Sequence, residues 1–248
     1  LRPPELAILA AVGAHQVEVN ASLRIGVLST GDEVRPIGDA ASDGQIYDAN
    51  RPMLLSLIAQ WGYAAVDLGH VRDDRAALRA RLDQGAQKAD VILTSGGASA
   101  GDEDHVSGLL EDAGAMALWR IAIKPGRPWA LGVWNGVPVF GLPGNPVAAM
   151  VCTLVFARPA MGILAGSGWS KPQGFEMPAA FEKHKKAGRR EYLRARIREG
   201  KVEIFASEGS GRISGLSWAD GLVELTEEAQ KIELGDPVHY IPFGSFDL

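Results

Sequence analysis

The first 165 residues alternate short apolar runs with longer stretches in which apolar residues recur at helical spacing. Leu54, Leu57 and Ile58 follow the three- and four-residue spacing of one helix face. Short uninterrupted apolar runs instead predict buried strands. The predicted strands are Ile25–Ser29, Ala64–Leu68, Val91–Thr94, Met116–Ile123, Trp129–Val133 and Val137–Phe140, and the predicted helices are Arg51–Trp61, Arg75–Lys88, His105–Asp112 and Pro146–Leu164.

Two asparagines stand where predicted helices begin. Asn50 precedes the helix that starts at Arg51, and Asn145 precedes Pro146. Asparagine is a favoured N-cap, and proline is favoured at the first helical position. We therefore predict that both asparagines are N-caps.

The alternation of strands and helices predicts an α/β fold with a mostly parallel sheet and helices on both faces. Ligands bind such sheets at the carboxyl ends of the strands. After the Gly166–Gly168 linker the apolar spacing becomes two, so that Leu193 and Ala195 face away from the intervening Arg194. The predicted domains are an α/β domain over 21–165 and a small C-terminal β-barrel over 172–248.

Composition and charge narrow the class of protein. The 248 residues are 46% hydrophobic and carry a net charge of −5, and this charge argues against bulk nucleic-acid binding. The one cysteine, Cys152, lies in an apolar run, which predicts a buried and inert thiol in a reducing, cytoplasmic setting. The apolar stretch 147–164 contains Arg158 and Pro159, so we predict a core helix and no membrane association.

The segment Thr94-Ser-Gly-Gly-Ala-Ser-Ala-Gly-Asp-Glu-Asp-His105 is the most informative chemical signal. It follows a predicted strand and precedes a predicted helix. Its glycines let backbone N–H groups approach a ligand, and a helix start favours an anion. Asp102, Glu103 and Asp104 would repel a bare phosphate, so the loop predicts a phosphorylated ligand together with a divalent cation such as Mg²⁺.

Other strand ends carry polar stretches with two interpretations each. Ser29–Glu33 is either a turn with solvated acids or a metal or proton site, and Arg72–Asp74 is either a helix cap or a ligand contact. Lys124–Pro128 is either a rigid connector or a fixed pair of cations for an oxyanion. Gly141–Pro146 places a helix N-terminus where an anion could dock.

A run of cations marks the first part of the second domain. Lys183 to Arg198 contains eight Lys or Arg residues. Most of them are predicted to form a solvated strand face, and the alternative is a basic lip over an anionic substrate.

The order of these motifs resembles the MoeA family, the molybdopterin molybdenumtransferases, which are related to the E domain of gephyrin. The motifs are S-T-G-D-E, D-G-Q-I-Y-D-A-N, R-D-D, T-S-G-G-x-S-x-G-x-x-D, K-P-G-R-P and G-L-P-G-N-P. The resemblance implies a molybdopterin-binding α/β domain and an enzyme of molybdenum cofactor biosynthesis. The implied reaction inserts molybdate into adenylylated molybdopterin, with Mg²⁺-dependent hydrolysis of the adenylate.

The resemblance also implies site residues. Glu33, Asp74 and Asp104 match the family's functional acids and are the predicted catalytic residues and metal ligands, and Lys124 and Arg127 are predicted to bind molybdate or the pterin phosphate. The predicted substrate-binding residues are Thr30, Gly31, Asp48, Asn50, Ser95, Gly96, Gly97, Ser99, Gly101, Lys124, Arg127, Pro143, Gly144, Asn145, Arg190 and Ser214.

The resemblance leaves alternatives and partners to consider. The alternatives are a molybdopterin adenylyltransferase-like enzyme and a non-catalytic scaffold module of the same fold. Residues 1–20 resemble the end of an amino-terminal region that relatives carry, so we expect this chain to be part of a longer protein and to have doubtful activity alone. The expected partners are a molybdopterin adenylyltransferase and, in the full-length protein, a second copy.

Overall fold

The computed structural model describes residues 1–96, 105–114, 116–119, 121–127, 129–207 and 212–248, with only the backbone given for 117–119. Four predicted site residues lie outside the described residues, namely Gly97, Ser99, Gly101 and Asp104.

The elements of the first part follow the predicted alternation. The strands are β1 Arg24–Thr30, β2 Val34–Arg35, β3 Ile46–Tyr47, β4 Ala64–Val71, β5 Val91–Ser95, β6 Met116–Trp119, β7 Ile123–Lys124, β8 Ala130–Trp134 and β9 Val137–Leu142. The helices are α1 Pro3–Ala11, α2 Asn50–Gln60, α3 Arg75–Lys88, α4 His105–Asp112, α5 Pro146–Cys152 and α6 Arg158–Leu164, with a π-helical turn at Thr153–Ala157 between the last two.

The main sheet has six strands in the order β4-β1-β5-β9-β8-β6. The first four are parallel, β8 pairs antiparallel with β9, and β6 pairs antiparallel with β8 at the edge. Strand β5 shows why helices cover both faces: Val91 and Leu93 join the core formed with α2 and α5, whereas Ile92 joins the core formed with α3 and α4. This arrangement confirms the predicted α/β fold.

The apolar stretch 146–164 forms one continuous helix in the core. Its mean hydropathy of 1.9 and its 19 residues satisfy the length and composition of a membrane span, yet 67% of it is buried within the protein. Ala149, Leu154 and Met161 are fully buried in the main core. A helix covered by its own protein in this way matches the predicted core helix.

The predicted strand Met116–Ile123 is wrong as one element. It is divided into β6, which stays in the main sheet, and β7, which pairs in parallel with the C-terminal strand β12 (Arg190–Arg198). The Ala122 carbonyl accepts a hydrogen bond from the Arg190 N–H at 2.9 Å. The end of this apolar run therefore pairs with β12 and does not join the main sheet.

The C-terminal part contains β10 Phe175–Pro178, β11 Lys183–Lys185, β12, β13 Lys201–Ile204, α7 Ser214–Trp218, β14 Gly221–Leu225, β15 Gln230–Ile232 and β16 Pro237–Pro242, and ends in a 3₁₀ turn at Phe243–Phe246. Five of these strands form a sheet in the order β10-β16-β14-β12-β13. An isolated bridge between Ala179 and Val202 connects β13 to the segment after β10. The sheet thus curves back on itself, as the prediction of a barrel requires.

The alternation predicted along β12 is only partly right. Ala195 is buried, but Ile197 is exposed and Arg194 is 94% buried. Lys185 is also buried, because its ammonium group donates to the carbonyls of Lys186 and Glu228. The basic run is therefore not a uniformly solvated face.

Candidate functional site

The carboxyl ends of the parallel strands border a cavity of about 480 Å³. Strand β4 lies on one side of β1 and β5 on the other, and such a reversal of strand order opens a crevice at the sheet edge. The cavity is lined by Ser29, Thr30, Glu33, Val34, Ile46, Tyr47, Asp48, Ala49, Asn50, Ser95, Gly96, Gly144, Asn145, Pro146 and Ile213.

Eight of the predicted site residues line this cavity: Thr30, Glu33, Asp48, Asn50, Ser95, Gly96, Gly144 and Asn145. They come from four separate stretches of the sequence, and the parallel sheet brings those stretches to one edge. Val34, Ile46 and Tyr47 from the β2–β3 ribbon and Ile213 from the C-terminal part line it as well. Ile46 and Tyr47 belong to the D-G-Q-I-Y-D-A-N motif but were not predicted as site residues, and no sequence signal pointed to Val34 or Ile213.

The floor of the cavity is polar and buried. Ser29 is 1% exposed and Thr30 is 3% exposed. Within the described part of the chain, the Ser29 Oγ, the Thr30 Oγ1 and the Asn50 Oδ1 have no hydrogen-bond partner. Buried polar atoms are normally paired, so these three oxygens are exceptions at the edge of the cavity.

Asn50 is not the N-cap that its position predicted. It is the first residue of α2, and its side-chain Nδ2 donates to the Ser95 Oγ and to the Gly144 carbonyl, both at 2.6 Å. Asp48 takes the capping role instead, since its Oδ1 accepts from the Arg51 N–H at 3.0 Å. Asn50 therefore connects the end of β5 to the loop after β9.

Gly96 permits the close approach of two strand ends. Its φ of +91° lies in the left-handed region, and a Cβ there would lie 2.5 Å from the Thr30 carbonyl oxygen. Only glycine fits both constraints. Gly96, the first glycine of the predicted loop, is therefore required by the backbone conformation, independently of any ligand.

Asn145 caps α5 as predicted. Its Oδ1 accepts from the N–H groups of Val147 and Ala148 at 3.0 and 3.3 Å, and Pro146 opens the helix. These two N–H groups are therefore already paired. An anion at this helix start would meet the helix dipole but not these two donors.

The predicted acids occupy different surroundings. Glu33 is exposed at the cavity, and Asp74 caps α3 by accepting from the Ala77 N–H at 2.6 Å. Asp74 is not among the residues that line the cavity. The structure thus confirms the helix-cap interpretation for Asp74.

The neighbouring acids Asp32 and Asp73 are held together across the ends of β1 and β4. Asp32 accepts from the Arg72 guanidinium and from the Asp73 N–H, and Asp73 accepts from the Asp32 N–H. The hydrogen bond from Arg72 lowers the pKa of Asp32. This pairing fixes the two turns that precede Glu33 and Asp74.

A metal site cannot be assembled from the described residues alone. Apart from residues such as Asp104 that lie outside the description, no group of three His, Cys, Asp or Glu side chains is placed to hold a metal ion. The described acids therefore do not by themselves fit a Mg²⁺ site.

Lys124 lies between the two parts of the molecule. Its ammonium group is 3.7 Å from the Glu191 carboxylate, whose other oxygen is 3.5 Å from Lys183. Lys124 and Arg194 line a small cavity of about 40 Å³ between β7 and β12. The second predicted cation, Arg127, is exposed and lies outside that lining.

Arg190 lies at a different place from the main cavity. Its guanidinium donates to Glu224 and Glu227, and the bond with Glu227 raises the pKa of Arg190. It lines a separate cavity of about 590 Å³ with Tyr192 and His239. Three more predicted residues do not line the main cavity. Gly31 and Pro143 are buried, and Ser214 is exposed at the start of α7.

Cys152 is buried, as the apolar residues around it in the sequence predicted. The residue is fully buried, and burial raises the pKa of its thiol to about 12. Its sulfur packs so closely on Gly126 that a Cβ at that position would overlap it. The thiol therefore fills space between the Lys124–Pro125 turn and α5.

Two protein-family models match the chain. One, described as a probable molybdopterin binding domain, matches residues 26–162. The other, described as the MoeA C-terminal region (domain IV), matches residues 176–243. The first range covers nearly all of the main sheet together with β7, and the second covers nearly all of the C-terminal strands.

Known proteins resemble the chain over nearly its whole length. A molybdopterin molybdenumtransferase of Haemophilus influenzae is 34% identical over 249 residues, covering 98% of this chain and 62% of that protein. One from a Nostoc species is 32% identical over 236 residues, covering 91% of this chain and 54% of that protein. A crystal structure of a molybdopterin biosynthesis MoeA protein from Pyrococcus horikoshii has a TM-score of 0.85 and 30% identity, covering 98% of this chain and 60% of that one. The chain thus spans less than two thirds of each of these proteins.

Proposed function

The chain belongs to the MoeA family, and from this premise we propose that it acts in molybdenum cofactor biosynthesis as the pterin-binding part of a molybdopterin molybdenumtransferase. Its substrates would be adenylylated molybdopterin and molybdate. The observation that carries the proposal is the cavity at the carboxyl edge, which eight of the site residues implied by the family resemblance line.

The size and lining of the cavity suit a small polar aromatic ligand. Its volume of about 480 Å³ falls within the roughly 300–1,000 Å³ of small-molecule sites, which combine apolar walls with a few fixed polar groups. The apolar wall is supplied by Val34, Ile46 and Tyr47. Ser29, Thr30 and Asn50 add polar residues to the lining of the same cavity.

The charged groups of the ligand would extend toward the cations beyond the cavity. Lys124 and Arg127 are proposed to bind molybdate or the pterin phosphate. The position of Lys124 supports this role, because Lys124 and Arg194 line the same small cavity. A second cation raises the local positive potential, which favours an oxyanion.

We extend the proposal to Mg²⁺, with Glu33, Asp74 and Asp104 as its ligands. Glu33 and Asp74 each follow one of two adjacent parallel strands, since Thr30 at the end of β1 pairs with Val71 at the end of β4. When bound, the ion would neutralise negative charge on the phosphates. Binding of Mg²⁺ measured by calorimetry is expected to weaken in Glu33→Gln and in Asp104→Asn.

The exposed amino-terminal helix supports further partners in the full-length protein. None of the residues of α1 is buried, and Leu6, Ile8 and Val12 are largely exposed. Exposed apolar surface of this kind marks interaction sites, and because the chain spans only 62% of the Haemophilus influenzae protein, other parts of the full-length polypeptide can cover it as well as a partner can. We propose a homodimer of the full-length protein and a molybdopterin adenylyltransferase as the enzyme that supplies its substrate.

The test is binding of adenylylated molybdopterin, followed by AMP release on addition of molybdate. Glu33→Gln should retain binding and lose AMP release, whereas Glu111→Gln, an exposed acid on α4, should behave as the parent. If the full-length protein fails to bind the ligand, the proposed function is wrong. If Glu33→Gln releases AMP at the parental rate, the role of Glu33 is wrong.

The same assay separates the alternatives, neither of which the comparisons favour. An adenylyltransferase-like enzyme would form the AMP adduct from ATP and molybdopterin. A scaffold module would bind without molybdate-dependent AMP release. The match of residues 176–243 to the MoeA C-terminal region favours the insertion enzyme over the adenylyltransferase-like enzyme.

A further inference from the structure

We propose that His70 is a positioning residue that holds the turn carrying Glu33 at the edge of the main cavity. The inference rests on the proposed function in one respect, that Glu33 acts on the ligand of this cavity. His70 lies near the carboxyl end of β4, the strand that pairs with β1. It is half-buried and is not one of the residues that line the cavity, so its effect on the ligand passes through the turn.

Glu33 lies in a tight turn between β1 and β2. The Gly31 carbonyl accepts from the Val34 N–H at 3.3 Å, and this bond closes a four-residue turn. Asp32 and Glu33 are the two central residues of the turn. Gly31 has a φ of +131°, and a Cβ there would lie 2.7 Å from the Glu33 Oε2. The Glu33 carboxylate therefore packs against the backbone of Gly31, and its position depends on that of the glycine.

His70 binds the same Gly31 carbonyl from the neighbouring strand. Its Nε2 lies 2.8 Å from the carbonyl oxygen. A carbonyl oxygen can only accept, so the Nε2 carries a proton and donates it to this bond. In the parallel pairing of β1 with β4, His70 is level with Ser29, so its imidazole reaches past the end of the pairing to the turn. The bond thus fixes the residue against which the Glu33 carboxylate packs.

The other side-chain bonds between this turn and the end of β4 are more exposed. Asp32 accepts from the Arg72 guanidinium and from the Asp73 N–H, but the side chains of Arg72 and Asp32 are 73% and 54% exposed. Exposed ion pairs of this kind contribute little to stability. The bond from His70 is partly buried, and a hydrogen bond shielded from water is electrostatically stronger. We therefore assign the position of the turn mainly to His70.

The test compares two amides in place of the imidazole, in the full-length protein. The Nε2 of glutamine is as many bonds from the backbone as the Nε2 of histidine, whereas the Nδ2 of asparagine is one bond closer and falls short of the Gly31 carbonyl. In the ligand-free protein, His70→Asn should raise hydrogen–deuterium exchange in peptides covering 30–36 and leave peptides covering β5 unchanged. His70→Gln should restore the exchange of the parent.

The second measurement is AMP release from adenylylated molybdopterin on addition of molybdate. His70→Asn should lower kcat about tenfold or more, since displacing a functional group by about 1 Å can cost on the order of a hundredfold. The Kd for adenylylated molybdopterin should stay within about twofold of the parent, because an interaction that acts on the reaction step changes kcat and not ground-state binding. His70→Gln should retain kcat to within about threefold.

His239→Asn is the matched control. His239 is also a half-buried histidine on a strand, and its Nδ1 lies 3.1 Å from the Glu176 carboxylate in the C-terminal sheet. The control should show parental exchange over 30–36 and parental AMP release. It therefore separates the loss of the bond to Gly31 from the general cost of replacing an imidazole by an amide.

The outcomes are distinguishable. If the parent protein neither binds the ligand nor releases AMP, the proposed function fails, and the exchange measurement still decides whether His70 holds the turn. Unchanged exchange in His70→Asn, or no recovery in His70→Gln, would overturn the role of the Nε2 bond. Raised exchange with a parental kcat, or a Kd that rises as much as kcat falls, would overturn the link to Glu33.

Discussion

Replacing Asn50 with alanine should destabilise the protein well beyond an ordinary surface change. The variant loses the two 2.6 Å hydrogen bonds to the Ser95 Oγ and the Gly144 carbonyl. Each bond contributes about 0.5–1.5 kcal/mol net, and a buried group left unpaired adds about 1–3 kcal/mol. Gly144 is exposed, so water can reach its carbonyl, and the Ser95 hydroxyl can rotate. The variant also removes the buried Asn50 Oδ1, which has no partner among the described residues, and this offsets part of the cost. We therefore expect a net loss of about 1–2 kcal/mol.

The assay is differential scanning calorimetry of the parent and two variants. For a chain of this size the loss corresponds to a fall in Tm of about 2–8 °C. The control is Asn20→Ala, which removes an exposed amide-to-carbonyl bond to Ala165 and should change stability by less than about 0.5 kcal/mol. If Asn50→Ala lowers the Tm no more than this control, the bridging role assigned to Asn50 is wrong.

A carboxylate at the same position tests the direction of the hydrogen bonds. Asn50→Asp cannot donate to the Gly144 carbonyl and places a charge at a site that is 94% buried. Burial and a facing carbonyl raise the pKa of such a carboxyl group. Asn50→Asp should therefore be less stable than Asn50→Ala at pH 7, and this difference should shrink as the pH falls and the acid is protonated. A constant difference across the pH range would contradict the donor assignment.

Three further predictions follow from features of the same edge and of the core. Gly96→Ala should lower the Tm by several degrees, because its φ of +91° and the Thr30 carbonyl oppose a Cβ, and a side chain at positive φ costs about 1–2 kcal/mol. Cys152 should resist thiol reagents in the native protein at pH 8, since its pKa is about 12, and rapid native labelling would contradict its burial. The hydrogen bond from Arg72 lowers the pKa of Asp32. The ionised Asp32 should therefore stabilise the folded protein slightly at neutral pH, and this contribution should disappear as the pH falls through the pKa of Asp32 in the folded state. The Tm values of Asp32→Asn and the parent should then converge at low pH.

The sequence predicted those elements whose patterns are local. Helix α3 has the predicted bounds because Leu78 and Leu82 face the core and Asp74 caps the helix. The strand ends also met as expected, since parallel strands align their carboxyl ends at one edge.

The sequence could not predict features that depend on contacts between residues far apart in the chain. Asn50 and Asp48 are both competent caps, and the contact with Ser95 decided between them. The run at Met116–Ile123 divides because β12 pairs with its end. The alternation along β12 predicts that Arg194 faces solvent, but its guanidinium is turned to the carbonyls of Ser207 and Arg212.

The pairing of β7 with β12 has a consequence for exchanging parts between relatives. The boundary between the two sheets does not coincide with the linker at Gly166, because residues 123–124 belong by sequence to the first part and by hydrogen bonding to the second. A chimera joined at the linker would combine a β7 from one parent with a β12 from another. The pairs Ile123 with Arg190 and Lys124 with Glu191 must therefore be inherited together for the hybrid to keep both sheets intact.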